Sequence, residues 1–323
     1  MTDKTFDEQR RDIQDGMQEL REDISRLGDR AQVLTDRFAS LGQPDQIPPA
    51  QRLNPTPPDR PGHGILNTRG MNLIAMPDQD VRESDFGLDD WERMVGPDRI
   101  FWESGKANGA TSITTHEGHR AMRFRLSPIW SRAKKPSTRS LGGIRVKGRP
   151  RTYRVCFLAF IDPGISWGGR KKTGKLGLGI AGKNPSAKKQ TPPSGGKPVK
   201  DGFSQRFIWD NNGDASLYRY AADTKGYGDR VKLGFRYPLG RWFSLGMELT
   251  INSNPRKADG STRAFLDGEQ VHSESGVHFM SEGVPTISRV SHSNFAGGNK
   301  EHYQPKGDSL IYLTDMHHGI GTF

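Results

Sequence analysis

Ser204 and Arg206 stand two residues apart in GFSQRFIWD, and Tyr218 and Tyr220 stand two apart in SLYRY. Residues i and i+2 of an extended strand project from the same face. Each pair therefore shares a surface, while Phe203, Phe207, Trp209 and Leu217 turn the other way, toward a core. Lys175 opens the glycine-rich run KLGLGIAG, whose small side chains keep a surface low and open. A hydroxyl, a guanidinium, an amine and two phenols suit one reaction well, β-elimination at a uronic acid. Cations and hydrogen-bond donors neutralise the uronate carboxylate and make the C5 proton removable. A base then takes that proton while an acid protonates the departing glycosidic oxygen. Tyrosine serves in either role, and its ordinary pKa of about 10 is expected to fall beside lysine and arginine, which favour the phenolate.

Strands must carry these residues. Phe243, Leu245, Met247, Leu249 and Ile251 alternate with small or polar residues, which predicts a strand buried on one face. Tyr153 to Phe160 is apolar on both alternating sets apart from Arg154, which predicts a strand buried on both faces. Asp267-Gly268 in AFLDGEQVH is a hairpin turn signal, and DDWERM is the one short helix expected near residue 90. Gly (39) and Pro (21) are abundant, as turns between short strands require. The fold class is mainly β, with residues 63–323 forming a jelly-roll sandwich.

The amino-terminal part differs. Ile13, Met17, Leu20, Ile24, Leu27, Ala31, Leu34, Phe38 and Leu41 follow a 4, 3, 4, 3 spacing, the period of an α-helical coiled coil. Residues 1–43 are thus expected to oligomerise through residues 10–41. Met17, Ala31 and Phe38 in the a positions favour a trimer over the dimer that isoleucine there would specify. Residues 44–62 contain seven prolines and form a Pro-rich linker.

Several function classes fall away. There is no P-loop, no GxGxxG, no HExxH and no EF-hand loop, so neither cofactor nor metal is expected. His317-His318 reads as an exposed polar tail rather than a metal site. Cys156, the single cysteine, reads as a small buried hydrophobe. MTDKTFDEQRR has no apolar signal core, and no apolar run reaches the ~18 residues of a spanning helix, so neither signal-peptide export nor membrane insertion is expected. The net charge of +11 favours polyanionic partners. Residues 170–200 hold nine Lys or Arg and no acid, but no aromatics interleave with them as in single-strand nucleic-acid grooves. An acidic polysaccharide, not nucleic acid, is the expected partner.

GGRKKTGKLGLGIAG, DGFSQRFIW, SLYRYAAD, KGYGD, LGRW, ADGSTRAFLDGEQV and SHSNFAGG occur in this order. With them, the stretch 85–316 resembles polysaccharide lyase family 14 and the neighbouring glucuronan lyases, β-jelly-rolls that cleave alginate and polyglucuronate. The resemblance implies a cleft lined by Lys175, Ser204, Arg206, Tyr218 and Tyr220. In it Tyr218 or Tyr220 would act as base and acid, Arg206 and Lys175 would neutralise the carboxylate, and Ser204 would orient the sugar. Lys183, Arg123 and Arg125 are further candidate substrate contacts. The chain reads KLGLG where the family's usual run is KLPG. A coiled coil, a proline-rich spacer and such a domain together resemble a bacteriophage tail fibre, tailspike or head spike. That implies a virion location, other virion proteins as partners, and assembly in a host cytoplasm. The alternatives are a glycan-binding receptor-recognition module without cleavage and a structural spike protein.

Overall fold

The computed structural model describes residues 66–104, 110–127, 139–167, 173–188, 192–197, 199–210, 213–297 and 303–323. The coiled-coil helix of residues 1–43 and the linker of residues 44–62 lie outside the described residues.

Alternating apolar residues build two antiparallel sheets that face each other. The back sheet runs β13 (Glu269–Val277), β12 (Gly260–Leu266), β11 (Trp242–Thr250), β6 (Thr152–Ile161), β15 (Ser309–Ile320), β4 (His119–Leu126) and β3 (Thr111–His116), with β1 (Asn72–Leu73) paired to β15. The front sheet runs β10 (Asp229–Arg236), β9 (Asp214–Tyr220), β8 (Gly202–Asp210), β7 (Gly174–Lys183), β14 (Arg289–Ala296), β5 (Arg139–Arg145) and β2 (Arg99–Ser104). Chain neighbours are often not sheet neighbours, as β15 beside β6 shows, and that crossing order is jelly-roll-like. The core fills the space between the sheets. Phe157 of β6 meets Phe207 of β8 edge to face, with centroids 5.9 Å apart, and both are fully buried.

Local predictions meet the structure at several points. Asp267 (φ 48) and Gly268 (φ 84) form the tight turn between β12 and β13, both in the left-handed region such a hairpin needs. The short helix is α1, Leu88–Val95, which buries Trp91 and Met94. Its first turn is held by the Gly87 N–H donating to Asp90 Oδ2 at 2.8 Å.

Two expectations are corrected. β11 is buried on both faces rather than one, because residues after 65 and the carboxyl end fold across the outside of the back sheet. A Cβ at Gly246 would fall 2.6 Å from Leu66 and 3.2 Å from Phe323. Arg154 clamps the same covering through its guanidinium, which donates to the carbonyls of Asn67 and Thr322 at 2.6 Å and of Arg69 at 2.8 Å. The His317-His318 pair is part of β15, not an exposed tail. His318 is buried against the Tyr153 hydroxyl at 2.8 Å, and burial pushes its pKa down to about 4.

Replacing Phe157 by alanine removes the ring that joins the sheets and is expected to cost about 3–5 kcal/mol. The check is the midpoint of denaturant unfolding; a midpoint within error of the parent protein's would contradict this account of the core.

Candidate active site

The outward face of the front sheet assembles from residue alternation and strand register. In β8 the inward set is Phe203, Gln205, Phe207 and Trp209, each fully buried. Gln205 donates to Thr262 Oγ1 of the back sheet at 2.6 Å, so even the polar member of that set faces the interior. Ser204, Arg206, Ile208 and Asp210 must therefore face outward. The β8–β9 register places Ser204 opposite Tyr220 and Arg206 opposite Tyr218. On the other side β7 brings Gly179 opposite Arg206 and Ala181 opposite Ser204. Gly179 is required there, since a Cβ would lie 2.6 Å from Arg206 Cγ and 2.5 Å from the Gln205 carbonyl oxygen.

Five of the predicted residues thus share one surface. Lys175 extends its amine over the Tyr218 ring at 5.0 Å and over the Phe295 ring of β14 at 4.8 Å. Arg206 Nη2 donates to Ser204 Oγ at 3.2 Å, and its buried Nε has no hydrogen-bond partner among the described residues. The Tyr218 and Tyr220 hydroxyls are 3.3 Å apart, with rings edge to face.

The two phenols are not equivalent. Tyr220 is fully buried. Its hydroxyl accepts from the Gly196 N–H at 2.7 Å, and Ser204 donates to the Pro193 carbonyl at 2.9 Å. The turn at residues 192–197 therefore covers that end of the surface. Tyr218 is only partly buried, and its hydroxyl accepts from the Gly228 N–H at 3.0 Å.

Electrostatics here run against one expectation. Tyr218 has its pKa raised, not lowered: burial is the largest cause, and the hydrogen bond and charge repulsion of Tyr220 add to it. Arg206 opposes the shift but does not overcome it. Arg206 itself is lowered, chiefly by burial. Lys175 is pushed down to about 7, first by burial and then by Arg206 and Arg230, with Asp210 acting in the opposite sense. Desolvation wins at each group because each charge sits against rings or backbone rather than water. The surface holds a protonated phenol beside an amine that loses its proton near neutrality.

Three predicted residues are held in ion pairs instead. Lys183 ends β7 but is buried in an ion pair with Asp201. Arg123 and Arg125 are on β4 of the back sheet, where they hold Glu83 at 3.0 and 2.6 Å. An i, i+2 spacing places residues on one face of a strand but does not say which sheet owns it. Sequence reasoning missed Phe295, Arg230 and Asp210. Asp210 continues the outward set of β8 and was open to the same alternation argument. Phe295 was not, because β14 reaches β7 by long-range pairing. Beside these residues a cavity of about 410 Å³ is lined by Asp210, Asp214, Ser216, Arg230, Lys232 and Arg236 among others. Its acids are already occupied, Asp210 by Arg230 at 2.9 Å and Asp214 by Arg236 at 2.8 Å. Among the described residues no group of three or more metal-ligating side chains occurs.

A family model described as Polysaccharide lyase 14 matches residues 152–316, a span that contains β6 to β14 and the whole cluster. Among solved structures, the marine PL-14 alginate lyase from Aplysia kurodai is similar with a TM-score of 0.61 at 17% identity, covering 76% of this chain and 100% of its own. Alginate lyase Aly36B is similar with a TM-score of 0.60 at 17% identity, covering 79% of this chain and 98% of its own. Alginate lyase vAL-1 from Chlorella virus is similar with a TM-score of 0.53 at 16% identity, covering 65% of this chain and 89% of its own. At these identities the likeness is one of fold. No curated protein matches the chain.

Arg206 depresses Lys175, so Arg206→Ala is expected to raise the Lys175 pKa above about 7. Titration of the lysine side-chain resonances by NMR reads this directly. An unmoved Lys175 midpoint would show that the two cations do not interact.

Proposed function

The chain belongs to the polysaccharide lyase 14 family, and from that premise we propose that it cleaves an acidic, uronate-containing polysaccharide by β-elimination. The observation that carries this reading is the convergence of Lys175, Arg206 and Tyr218 on one outward face. Arg206 stays charged at any physiological pH, and its guanidinium, on the outward face of β8 and only partly buried, is the group that would meet the uronate carboxylate. Neutralising that carboxylate acidifies the proton on C5. The Lys175 amine, unprotonated above about pH 7, takes it. The C5–H electron pair forms the C4–C5 double bond as the C4–O bond breaks. Tyr218, kept as a phenol by burial, gives its proton to the departing oxygen. Tyr220 and Ser204 fix the positions of Tyr218 and Arg206 through the contacts already described. Lys175 thereby changes role from carboxylate partner to base, because burial has removed the charge that the first role needs. A mutant of alginate lyase Aly36B has been solved in complex with alginate tetrasaccharide, which supports a uronate polymer as the substrate class.

We extend the proposal to the context of the domain. The heptads of residues 1–43 and the prolines of residues 44–62 support a trimeric virion appendage that presents several such faces to a host surface polysaccharide. Multivalent display multiplies weak individual contacts.

Incubation with alginate, polyglucuronate or capsule is expected to generate the ultraviolet absorbance of an unsaturated uronate. Tyr218→Phe and Lys175→Ala should each lower turnover about 10²–10⁴-fold. A flat trace with saturable glycan binding would leave a binding module in place of an enzyme.

The pH dependence separates the two roles of Lys175. Its proton must be absent for it to act as base, so kcat/KM should rise with pH and level above about 7. A bound carboxylate stabilises the ammonium, so the corresponding limb of kcat lies at higher pH. Activity that falls as pH rises through 7 would return Lys175 to service as a cation.

Sedimentation of the full chain should show a trimer, and removal of residues 1–43 a monomer. A monomer in both cases would defeat the oligomeric reading.

A further inference from the structure

The outward face continues past Lys175 and Tyr218 toward the far ends of β8 and β9, and its chemistry changes there. Strand register sets Ser216 between Ile208 and Lys232, and Asp214 between Asp210 and Arg236. These groups line the cavity of about 410 Å³ beside the site, together with Arg230 and Phe235. Small-ligand sites are commonly of this size, roughly 300–1,000 Å³. Ser216 lies two residues before Tyr218, so the cavity begins about 7 Å along the strand from it. Arg230 is the direct cross-strand partner of Tyr218. Arg230 and Asp210 also both act on the charge of Lys175, in opposite senses. A sugar reacting at Lys175 and Tyr218 therefore has its neighbouring ring at this cavity.

The charges of the lining are mostly paired. Arg236 Nε donates to Asp214 Oδ1 at 2.8 Å, and Arg230 Nη1 stands 2.9 Å from Asp210 Oδ1. The remaining cation, Lys232, is exposed on the edge strand β10, where solvent and salt screen it. Asp210 is the exception among these surface groups. It is only 6% exposed, and its Oδ1 receives no hydrogen bond among the described residues, close as Arg230 is. A buried acceptor without a donor is costly and calls for a partner. A uronate carboxylate cannot be that partner, because it brings acceptors only and sets anion against anion. An ammonium group would meet Arg230, which already stands at ion-pair distance. An uncharged hydroxyl fits both neighbours, since one hydroxyl of a sugar donates to Asp210 while the next accepts from Arg230.

We propose that this cavity holds an uncharged sugar ring, with Asp210 as the residue that specifies it, so that the preferred polymer carries uronates flanked by neutral sugars. The inference rests on the reading of this face as a lyase site and names its substrate class, an acidic heteropolysaccharide rather than a homopolymer of uronates. Arg206 then selects the charged ring and Asp210 its uncharged neighbour.

The test is calorimetric binding by the full chain carrying Tyr218→Phe, which suppresses turnover, with two glucuronate ligands of equal length. One is a polyglucuronate oligosaccharide; the other is a deacylated gellan oligosaccharide, in which glucuronate is flanked by glucose. The gellan fragment is expected to bind about tenfold more tightly, the value of one hydrogen bond to a charged group. Asp210→Asn keeps the size of the side chain but replaces an acceptor by an N–H donor. It is expected to weaken the gellan fragment about tenfold and to strengthen polyglucuronate, reversing the order. A merely structural role would weaken both ligands alike. Should Asp210→Asn lose its cooperative unfolding transition, Asp214→Asn, on the more exposed side of the cavity, is expected to shift the ratio several-fold in the same sense. A chain that binds polyglucuronate as tightly as gellan, or a ratio that neither variant moves, would overturn the subsite. If the parent chain yields no unsaturated product but the preference and its reversal hold, the lyase reading falls and the subsite stands. If product forms with equal kcat/KM from both polymers and the binding preference is absent, the subsite falls and the lyase reading stands.

Discussion

The register of the β8–β9 hairpin is the constraint on which the outward face depends. It pairs Ser204 with Tyr220 and Arg206 with Tyr218. A slip of one residue would send every polar group inward and every core ring into water. What prevents the slip is the inward set, Phe203, Phe207, Trp209 and Leu217, none of which retains measurable exposure. Burying such side chains is worth about 1.5–3 kcal/mol each, so a slipped register would lose far more than backbone pairing could restore. The chemistry on one side of the hairpin is positioned by the hydrophobic effect on the other.

The two sheets share a core but not an exterior. Outside the back sheet, residues after 65 and the carboxyl end are tied down by Arg154, and Glu248 accepts from the Phe323 N–H at 3.1 Å and from Arg263. Outside the front sheet, among the described residues, the turn at residues 192–197 lies over Ser204 and Tyr220 and Gly228 meets the Tyr218 hydroxyl. The open remainder holds Lys175, Arg206, Arg289 and Arg145 with Tyr218, Phe295 and Phe101 interleaved. Rings over and between cations lower their contact with water, which moves lysine toward its neutral form and tyrosine away from its charged one. Simple proximity of opposite tendencies, a cation next to a phenol, predicts the reverse for tyrosine. The size of the desolvation effect decides the matter.

The positions of Arg123, Arg125 and Lys183 show how residue type and site part company. All three are basic and strand-borne, yet Glu83 and Asp201 hold them in structural ion pairs. A buried or half-buried cation with its own carboxylate has little attraction left for a ligand. Lys175 and Arg206 differ because among the described residues neither forms an ion pair with a carboxylate, and they contact the Tyr218 and Phe295 rings and the Ser204 hydroxyl instead.

Sequence by itself determined whatever depends on near neighbours along the chain. Period-two alternation fixed which residues of β8 and β9 face outward, Asp267-Gly268 marked a hairpin, and β6 read as buried on both faces. A run of ordered motifs pointed to the family. Local signals end where pairing becomes long-range. That β14 lies beside β7, bringing Phe295 to Lys175 and Arg289 into line with Ser204, follows from contacts more than a hundred residues apart. The ownership of Arg123 and Arg125 by the back sheet, the cover on β11, and the direction of the Tyr218 shift were decided in the same way. Each depends on what lies across a sheet or over a side chain, and on the dielectric this leaves, and only the packed structure contains either.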